Sequence, residues 1–359
     1  MSGTSLDGLD CCLARIVHGN TLPWQFEILD ALTYPYPQDL QNQLRQSPQL
    51  SPPELMALDV QLGKLWGEHV LDFMRKHHQR SPHKSMRPLL IASHGHTVCH
   101  LPSSGYSLQI GSAAHLNALT AIPILYDFRS GDIAAGGQGA PLVPMGDAML
   151  FGDYDVCLNL GGIANISWGP QPDPASAPWR KACDLTFCNT ALNSFASLAG
   201  LTMDKDGLLA SQGSEQPDLL DLWSAAAWYQ THGAKSLDTS TFRYQFGTPE
   251  LYRQYSPQDL CYNWCLHVAD VLGNALQTIS AKQRGKVLVS GGGAAHPVLM
   301  SCLQQNSTLT MVKAENTVME FKEALIFGLL GLLHHLGVPN VLGMSTGASF
   351  NHRSGSRIG

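Results

Sequence analysis

Two rhythms of apolar residues alternate along the chain, one every second position and one at helical spacing. Cys11-Cys-Leu-Ala-Arg-Ile-Val17 and Gln25-Phe-Glu-Ile-Leu-Asp-Ala-Leu32 read as strands, and the Gly19-Asn20 turn between them predicts a hairpin. Pro53 and Glu54 then open a helix, with Ser51 near the cap; Leu55, Leu58, Leu62, Leu65, Trp66, Leu71 and Phe73 carry it to about His78. Leu89-Leu-Ile-Ala92 is a short all-apolar run of the kind that fills the middle of a sheet. It feeds Ser93-His-Gly-His-Thr97, read as a loop at a strand's carboxyl end, where ligand groups gather in open α/β sheets. Pro123-Ile-Leu-Tyr126 is another buried strand, and Gly136 to Pro141 reads as loop.

A second series follows the same order. Val156-Cys-Leu-Asn-Leu160 runs into Gly161-Gly162, and Ile163-Ala-Asn-Ile-Ser-Trp168 returns. Gly169 to Trp179 reads as a surface turn rich in proline and alanine, Asn189 to Leu198 as a helix, and Asp204 to about Tyr255 as mixed helical pieces and polar loops. A long helix over Asp259 to Ala281 precedes the strand Lys286-Val-Leu-Val-Ser290, which feeds Gly291-Gly-Gly-Ala-Ala295; a last apolar helix spans about Glu320 to His335. The pattern predicts a duplicated α/β fold with an interdomain cleft. Residues 1–145 form an N-terminal α/β domain, with 330–359 packing back on it, and residues 146–329 form a C-terminal α/β domain.

Composition narrows the function classes. A chain of 359 residues with 44% hydrophobic content is comfortable for two domains with sizeable cores. Charged residues are only 14%, below the usual share of roughly 25%. A net charge of -6 argues against bulk affinity for nucleic acid or anionic membranes, while leaving room for a local phosphate pocket. The nine cysteines are odd in number, irregularly spaced and without a CxxC pair, which favours buried free thiols in a reducing compartment. No Lys/Arg-led signal opens the chain, and the longest apolar stretch, Ala324 to Leu333, is short for a membrane span, so a cytoplasmic protein is expected.

Three strand-glycine segments carry the chemistry: Ser2 to Gly8, Asn159 to Asn165 and Ser290 to Ala295. Glycine lets a backbone turn sharply and lets its N–H groups approach an anion closely. Ser2, Thr4 and Ser5 add hydroxyl donors, and Asp7 and Asp10 could hold magnesium through oxygen or water. One glycine turn alone is commonly structural. Three at strand ends point to a nucleotide clamped between two domains, the first pair on its phosphates and the third on its adenosine. No GxxxxGK[ST] loop and no strand-GxGxxG-helix unit occurs, which excludes the P-loop and Rossmann readings.

The motifs then become specific. Ser2-Gly-Thr-Ser-Leu-Asp-Gly-Leu-Asp10, Ser93-His-Gly-His-Thr97 with His100 and Pro102, Gln109-Ile-Gly111, the long run from Asp127 to Pro144, Asn159 to Ser167, Asp204-Lys-Asp-Gly207, Gly291-Gly-Gly-Ala294 and Lys322-Glu-Ala324 together resemble the anhydro-N-acetylmuramic acid kinases, in family order over nearly the whole chain. The resemblance implies the duplicated ribonuclease-H-like fold of sugar kinases, actin and the large heat-shock chaperones. It implies hydrolysis of the anhydro bridge of 1,6-anhydro-N-acetylmuramic acid with transfer of the ATP γ-phosphate to the freed O6, a step of peptidoglycan recycling. ATP and Mg2+ are the implied cofactors, and a homodimer the implied assembly. The implied nucleotide contacts are Gly3, Thr4, Ser5, Leu6, Asp7, Gly8, Leu9, Asp10, Gly161, Gly162, Asn165, Gly291, Gly292 and Gly293, with magnesium carried on ATP and Asp7 as the candidate to touch it. Asp184 matches the family's catalytic base, and Thr97, Arg129 and Glu323 match its sugar contacts.

Each assignment has a plainer alternative. Arg129 could pair with Asp132 as a loop staple, Glu323 could be a solvated helix residue, and Asp184 could cap the helix near Asn189. His94, His96 and His100 with Asp127 have spacing that could suit zinc, and Cys261, Cys265 and His267 could be core packing or a ligand set. The sequence also departs from the family it resembles. A short apolar strand normally precedes the Met-Ser-Gly-Thr turn, and here Met1 comes first; without that strand the sheet would lose on the order of several kcal/mol. The expectation is that further residues lie upstream, and equal solubility and melting of this chain and an upstream-extended one would refute it. Leu185 to Cys188 stand where glycines and a proline are common, and His296 where an asparagine is common. Rival functions are a kinase of another amino sugar without ring opening, a catalytically impaired sugar- or nucleotide-binding homologue, and a zinc hydrolase.

Overall fold

The computed structural model describes residues 1–3, 6–84, 86–169, 180–230, 237, 242, 246–279 and 285–359. The chain divides into two compact units, one of Met1–Gly152, Pro172–Arg180 and Phe321–Gly359, the other of Asp153–Gln171 and Lys181–Glu320.

In the first unit, β1 (Gly8–Val17) and β2 (Gln25–Pro35) pair antiparallel from Gly8↔Pro35 to Val17↔Gln25, with an irregularity at Leu13/Ala14. This is the hairpin that the alternating apolar positions predict. Leu9 and Cys11 point into a core shared with Leu58, Leu62, Trp66 and Phe73 of the helix Pro52–Arg80. That helix starts where Ser51 and Glu54 form a capping box, the Glu54 carboxylate accepting the Ser51 N–H at 2.9 Å. Trp66 needs a neighbour without a side chain: a Cβ on Gly111 would lie 1.9 Å from its ring. Gly111 also sits at φ 122°, a conformation that glycine alone adopts cheaply.

The apolar run predicted from Leu89 contracts to β3 (Ile91–Ala92), which pairs parallel with β6 (Ile124–Tyr126). The last strand, β12 (Ser356–Ile358), pairs antiparallel with the other edge of β6, so residues near the end of the chain complete this sheet. The segment Ser93–Thr97 is not wholly loop. His96 and Thr97 begin β4 (His96–Leu101), held by β5 (Tyr106–Ile110) through the pairs His96↔Ile110 and Thr97↔Gln109. Among the described residues, no strand joins the β1–β2 hairpin to β3.

The second unit holds one five-stranded sheet in the order β11-β10-β7-β8-β9. Its strands β7 (Val156–Leu160), β8 (Ile163–Trp168) and β9 (Lys181–Phe187) form an antiparallel meander. The strands β10 (Lys286–Ser290) and β11 (Thr310–Lys313) then add parallel to β7. A meander followed by two parallel strands on the far side of its first strand is the ribonuclease-H-like arrangement. The core is aromatic: Phe187, Phe195, Trp223 and Trp264 are fully enclosed. The indoles' N–H groups are satisfied, Trp264 donating to the Phe187 carbonyl at 3.2 Å and Trp223 to that of Phe246 at 3.1 Å. Cys188, Cys261, Cys265 and Cys302 are buried here, and burial pushes the Cys188 and Cys261 thiols up to about 12.

One expectation is corrected. The Leu185–Cys188 segment, a loop in the family the sequence resembles, is strand here through Phe187, with Cys188 at the start of the following helix; Cys183 and Asp184 just before it find backbone partners in Ile166 and Asn165. Most of the predicted turn from Gly169 to Trp179 lies outside the described residues, as do Thr4 and Ser5 and parts of the mixed region between Asp204 and Tyr255. Among the described residues no helix is long and apolar enough to cross a membrane.

Candidate active site

In the second unit, two of the three glycine turns meet at the carboxyl ends of the parallel strands β7 and β10. Gly291 sits at φ 83°, and a Cβ there would lie 2.5 Å from the Asn159 side-chain oxygen and 2.8 Å from the Leu160 carbonyl. A Cβ on Gly293 would lie 2.7 Å from that of Leu160. Glycine is thus required for the β10 turn to lie against the end of β7. The β7–β8 turn faces its carbonyls toward the helix Asn189–Ser197. Gly162 O accepts the N–H groups of Cys188 (2.8 Å) and Thr190 (3.2 Å), and Gly161 O accepts that of Asn189 (3.0 Å). These bonds consume the amides that this helix start would otherwise offer an anion. Asn165 is half-buried on β8, and Gly162 and Gly292 are exposed.

His296 anchors the third turn. Its Nδ1 accepts the Leu299 N–H at 3.2 Å, capping the helix Pro297–Gln305, which places the ring proton on Nε2, 3.1 Å from Asp204 Oδ2. Asp204 also accepts the N–H groups of Leu209 and Ala210 at 2.7 and 3.0 Å. Asp204–Gly207 and the turn from Gly291 are far apart in sequence and are joined through this one ring.

Asp184 is half-buried on β9, opposite Asn165, and its Oδ2 accepts the Leu237 N–H at 2.8 Å. It does not cap the helix at Asn189, whose capping position is Cys188. Side chains beyond the strand brace it: Trp228 Nε1 donates to the Leu185 carbonyl at 2.8 Å, and Thr186 Oγ1 meets Tyr229 OH at 2.7 Å, which meets His267 Nε2 at 2.8 Å. Burial holds the His267 imidazole down at about 4.

In the first unit, Leu6 and Leu9 turn their side chains into the core, so the opening turn could offer a nucleotide only their backbone. Leu6 sits at φ 58° with its N–H on the Gly3 carbonyl at 3.3 Å. Gly8 lies against the Tyr34 carbonyl, 2.4 Å from where a Cβ would be. Asp10 Oδ1 accepts the Thr33 hydroxyl at 2.6 Å, and Asp7 is exposed. Thr4 and Ser5 are outside the described residues.

Of the sugar-side candidates, Arg129 has the most hydrogen-bond partners. Its Nε and Nη2 reach His94 Nε2 at 3.1 and 2.9 Å, and its Nη1 donates to the Gly139 carbonyl at 2.6 Å. A direct staple to Asp132 does not form; the two meet on Gly139, whose N–H donates to Asp132 Oδ2 at 2.6 Å. Asp132 is fully buried and also accepts the Thr346 hydroxyl at 2.7 Å. Glu323 is solvent-accessible yet ringed by protein. The resulting loss of water raises its carboxyl above the ordinary range, against the pull of Arg129, Lys322 and the chain's amino terminus. Beside it Lys322 pairs with Asp147 at 2.7 Å. Thr97 lies on β4, its hydroxyl 3.4 Å from Gln109 Nε2.

A cavity of about 180 Å³ opens at the carboxyl ends of β3 and β6, lined by His94, Gln109, Asp127 and Ser130 among others. Asp127 is held at φ 53°, unusual for a residue with a side chain, and accepts the Ser130 N–H at 3.2 Å. Sequence reasoning placed Asp127 and His94 in motifs of the resembled family and weighed them as zinc ligands, without a role for either in the site; neither a backbone angle nor a hydrogen bond to Arg129 has a signature in residue order. Among the described residues, no three His, Cys, Asp or Glu side chains are arranged to hold a metal ion.

A family model described as "Anhydro-N-acetylmuramic acid kinase" matches residues 1–358. Relatives carrying that same description include one from Parasynechococcus marenigrum (strain WH8102), 33% identical over 382 residues, covering 100% of this chain and 98% of the relative. One from Acaryochloris marina (strain MBIC 11017) is 32% identical, covering 97% of this chain and 96% of the relative. One from Vibrio vulnificus (strain YJ016) is 30% identical, covering 97% and 94%.

Proposed function

This chain belongs to the anhydro-N-acetylmuramic acid kinase family, and from that premise we propose that it opens 1,6-anhydro-N-acetylmuramic acid hydrolytically while phosphorylating it with ATP and Mg2+. The product is N-acetylmuramic acid 6-phosphate, and the setting is cell-wall recycling in the cytoplasm, by a homodimer as the family resemblance suggests.

Asp184 is the base. It takes a proton from the water that attacks C1; the C1–O6 bond breaks, and its electron pair passes to O6, which attacks the γ-phosphorus as ADP leaves. The phosphorus captures the developing charge on O6, so the separate acid that ordinary glycosidases require is dispensable. What remains for the protein is positioning and charge neutralisation. In the second unit, Gly161, Gly162, Asn165 and the Gly291–Gly293 turn serve the nucleotide; in the first, Gly3 to Asp10 serve its phosphates, and Thr97, Arg129 and Glu323 the sugar. Magnesium would enter with ATP and neutralise phosphate charge; the exposed Asp7 carboxylate is the group of this chain best suited to touch it.

The observation that carries this reading is Asp184 itself, a carboxylate at the family's base position that is half-buried and not spent on a helix cap. The test is an ATP-dependent assay on the anhydro sugar in 18O-labelled water. Label should appear at C1 of the phosphorylated product. Asp184→Asn should lose roughly 10²- to 10⁴-fold in kcat with an unchanged melting temperature. Wild-type inactivity, product without label, or a fully active variant would sink the mechanism.

A further inference from the structure

We propose that His94 is a positioning residue that sets the sugar site's preference for a carboxylate-bearing substrate, by fixing the orientation of the Arg129 guanidinium. The proposal rests on the reading of Arg129 as a sugar contact and deepens it.

A guanidinium has five N–H donors. Three of Arg129's are engaged: Nε–H and one on Nη2 with His94 Nε2, and one on Nη1 with the Gly139 carbonyl. One N–H remains on each terminal nitrogen, the pair that a carboxylate accepts in a two-pronged contact.

Both protein partners that hold the group are neutral. His94 Nδ1 lies 2.9 Å from the Gly95 carbonyl, so it carries the ring proton and leaves Nε2 as a lone-pair acceptor. Burial first, and the Arg129 charge second, hold the imidazole down at about 3, so it stays an acceptor throughout the physiological range. The ring is packed as well as bonded: Phe327 meets it in a T-shaped contact at 4.7 Å between centroids, and Phe128 in turn packs on Phe327 at 5.1 Å. Gly139 is held at its own N–H by Asp132, which also accepts the Thr346 hydroxyl. Asp132 lends Arg129 no hydrogen bond; its oxygens face the Gly139 N–H, the Thr346 hydroxyl and His352 Nε2. Among the described residues, no hydrogen bond or ion pair joins Arg129 to Glu323, the other carboxylate that acts on its charge.

The result is a half-buried cation, oriented from both sides by groups that do not neutralise it. An anionic ligand arriving at the two open N–H groups makes the direct ion pair that neither Asp132 nor Glu323 makes with Arg129. The chemistry this selects is an anhydro amino sugar bearing a carboxylate, over one that carries a hydroxyl there.

The experiment compares KM for 1,6-anhydro-N-acetylmuramic acid with the inhibition constant of 1,6-anhydro-N-acetylglucosamine, which lacks the lactyl carboxylate. His94→Leu should raise that KM on the order of 10- to 100-fold and leave the analogue's inhibition constant and KM for ATP within about threefold. His94→Gln, whose side-chain oxygen can accept from Arg129, should recover most of the loss. In an Arg129→Gln background, His94→Leu should add nothing. The proposal is overturned if His94→Leu weakens both sugars equally, or costs as much without Arg129 as with it. If Arg129→Gln leaves the preference intact, the reading of Arg129 fails, and the proposal with it. If Arg129→Gln abolishes the preference and neither His94 variant changes it, the role of His94 alone is refuted. Melting curves separate loss of fold from loss of preference, and His94→Gln keeps the test open if the leucine variant does not fold.

Discussion

His296 shows what one side chain in the second unit accomplishes. Its two ring nitrogens do different work, one capping the helix Pro297–Gln305 and the other donating to Asp204. An asparagine could supply the cap but does not reach as far. His296→Leu should therefore lose a helix cap worth about 1 kcal/mol and strip Asp204 of one partner, whereas His296→Asn should keep most of the cap. Denaturant midpoints measure the stability, and KM for ATP reports whether the turn has shifted; a leucine variant as stable as wild type would contradict the role. The same residue marks a limit of reading sequence. The glycines at strand ends stand out by type and position, and Asp184 through the family resemblance. The bond from His296 to Asp204 spans ninety-odd residues and leaves no trace in either local pattern. Arg129 repeats the lesson: Asp132 is the obvious neighbouring partner, but the connection runs through a backbone amide on Gly139.

Elements with clean periodicity were legible almost to the residue. The strands β7, β8 and β10 match their apolar runs, and the helix from Pro52 begins at the serine-proline signal. Strand β9 was not, because Asp184 and Thr186 interrupt its apolar character and its backbone pairing is supplied by β8. Side-chain bracing from beyond the sheet adds to that pairing, through the Thr186–Tyr229–His267 chain. Tyr229→Phe removes the middle of that chain and leaves two buried polar groups without their partner. The expected cost is roughly 1–3 kcal/mol, with a further fall in kcat as β9, and Asp184 on it, loosens. Chemical denaturation and steady-state rates check the two halves separately; stability lost with kcat unchanged would show that the bracing does not reach the carboxylate.

At the scale of the molecule, each unit carries a histidine that burial keeps neutral, His94 at about 3 and His267 at about 4. Unfolding restores both to roughly 6.5. Between pH 6.5 and those folded values the unfolded chain binds more protons than the folded one. Stability therefore falls as pH drops through that window, by up to about 1.4 kcal/mol per pH unit for each ring. Melting temperature should decline from pH 7 to pH 5, and His267→Gln should flatten the decline. A melting temperature constant over that range would contradict the assignment. Neither buried ring was legible as such: His267 looked like a neighbour to Cys261 and Cys265, and its burial follows from the aromatic packing of Trp223, Trp264 and Phe246 around it.

The loop that carries Arg129 is secured from far along the chain, by Thr346 on Asp132, 214 residues away, and by Ser354 on the Phe128 carbonyl, 226 residues away. On a ribosome adding about 5–20 residues per second, that loop emerges roughly 10–40 s before the hydroxyls that fix it. Every strand of the second unit is made in the interval. A nascent chain can thus set the Gly161–Gly162 and Gly291–Gly293 turns before the hydroxyls that fix the arginine's loop exist, and the sugar preference proposed for that arginine waits on the segment that carries Thr346 and Ser354.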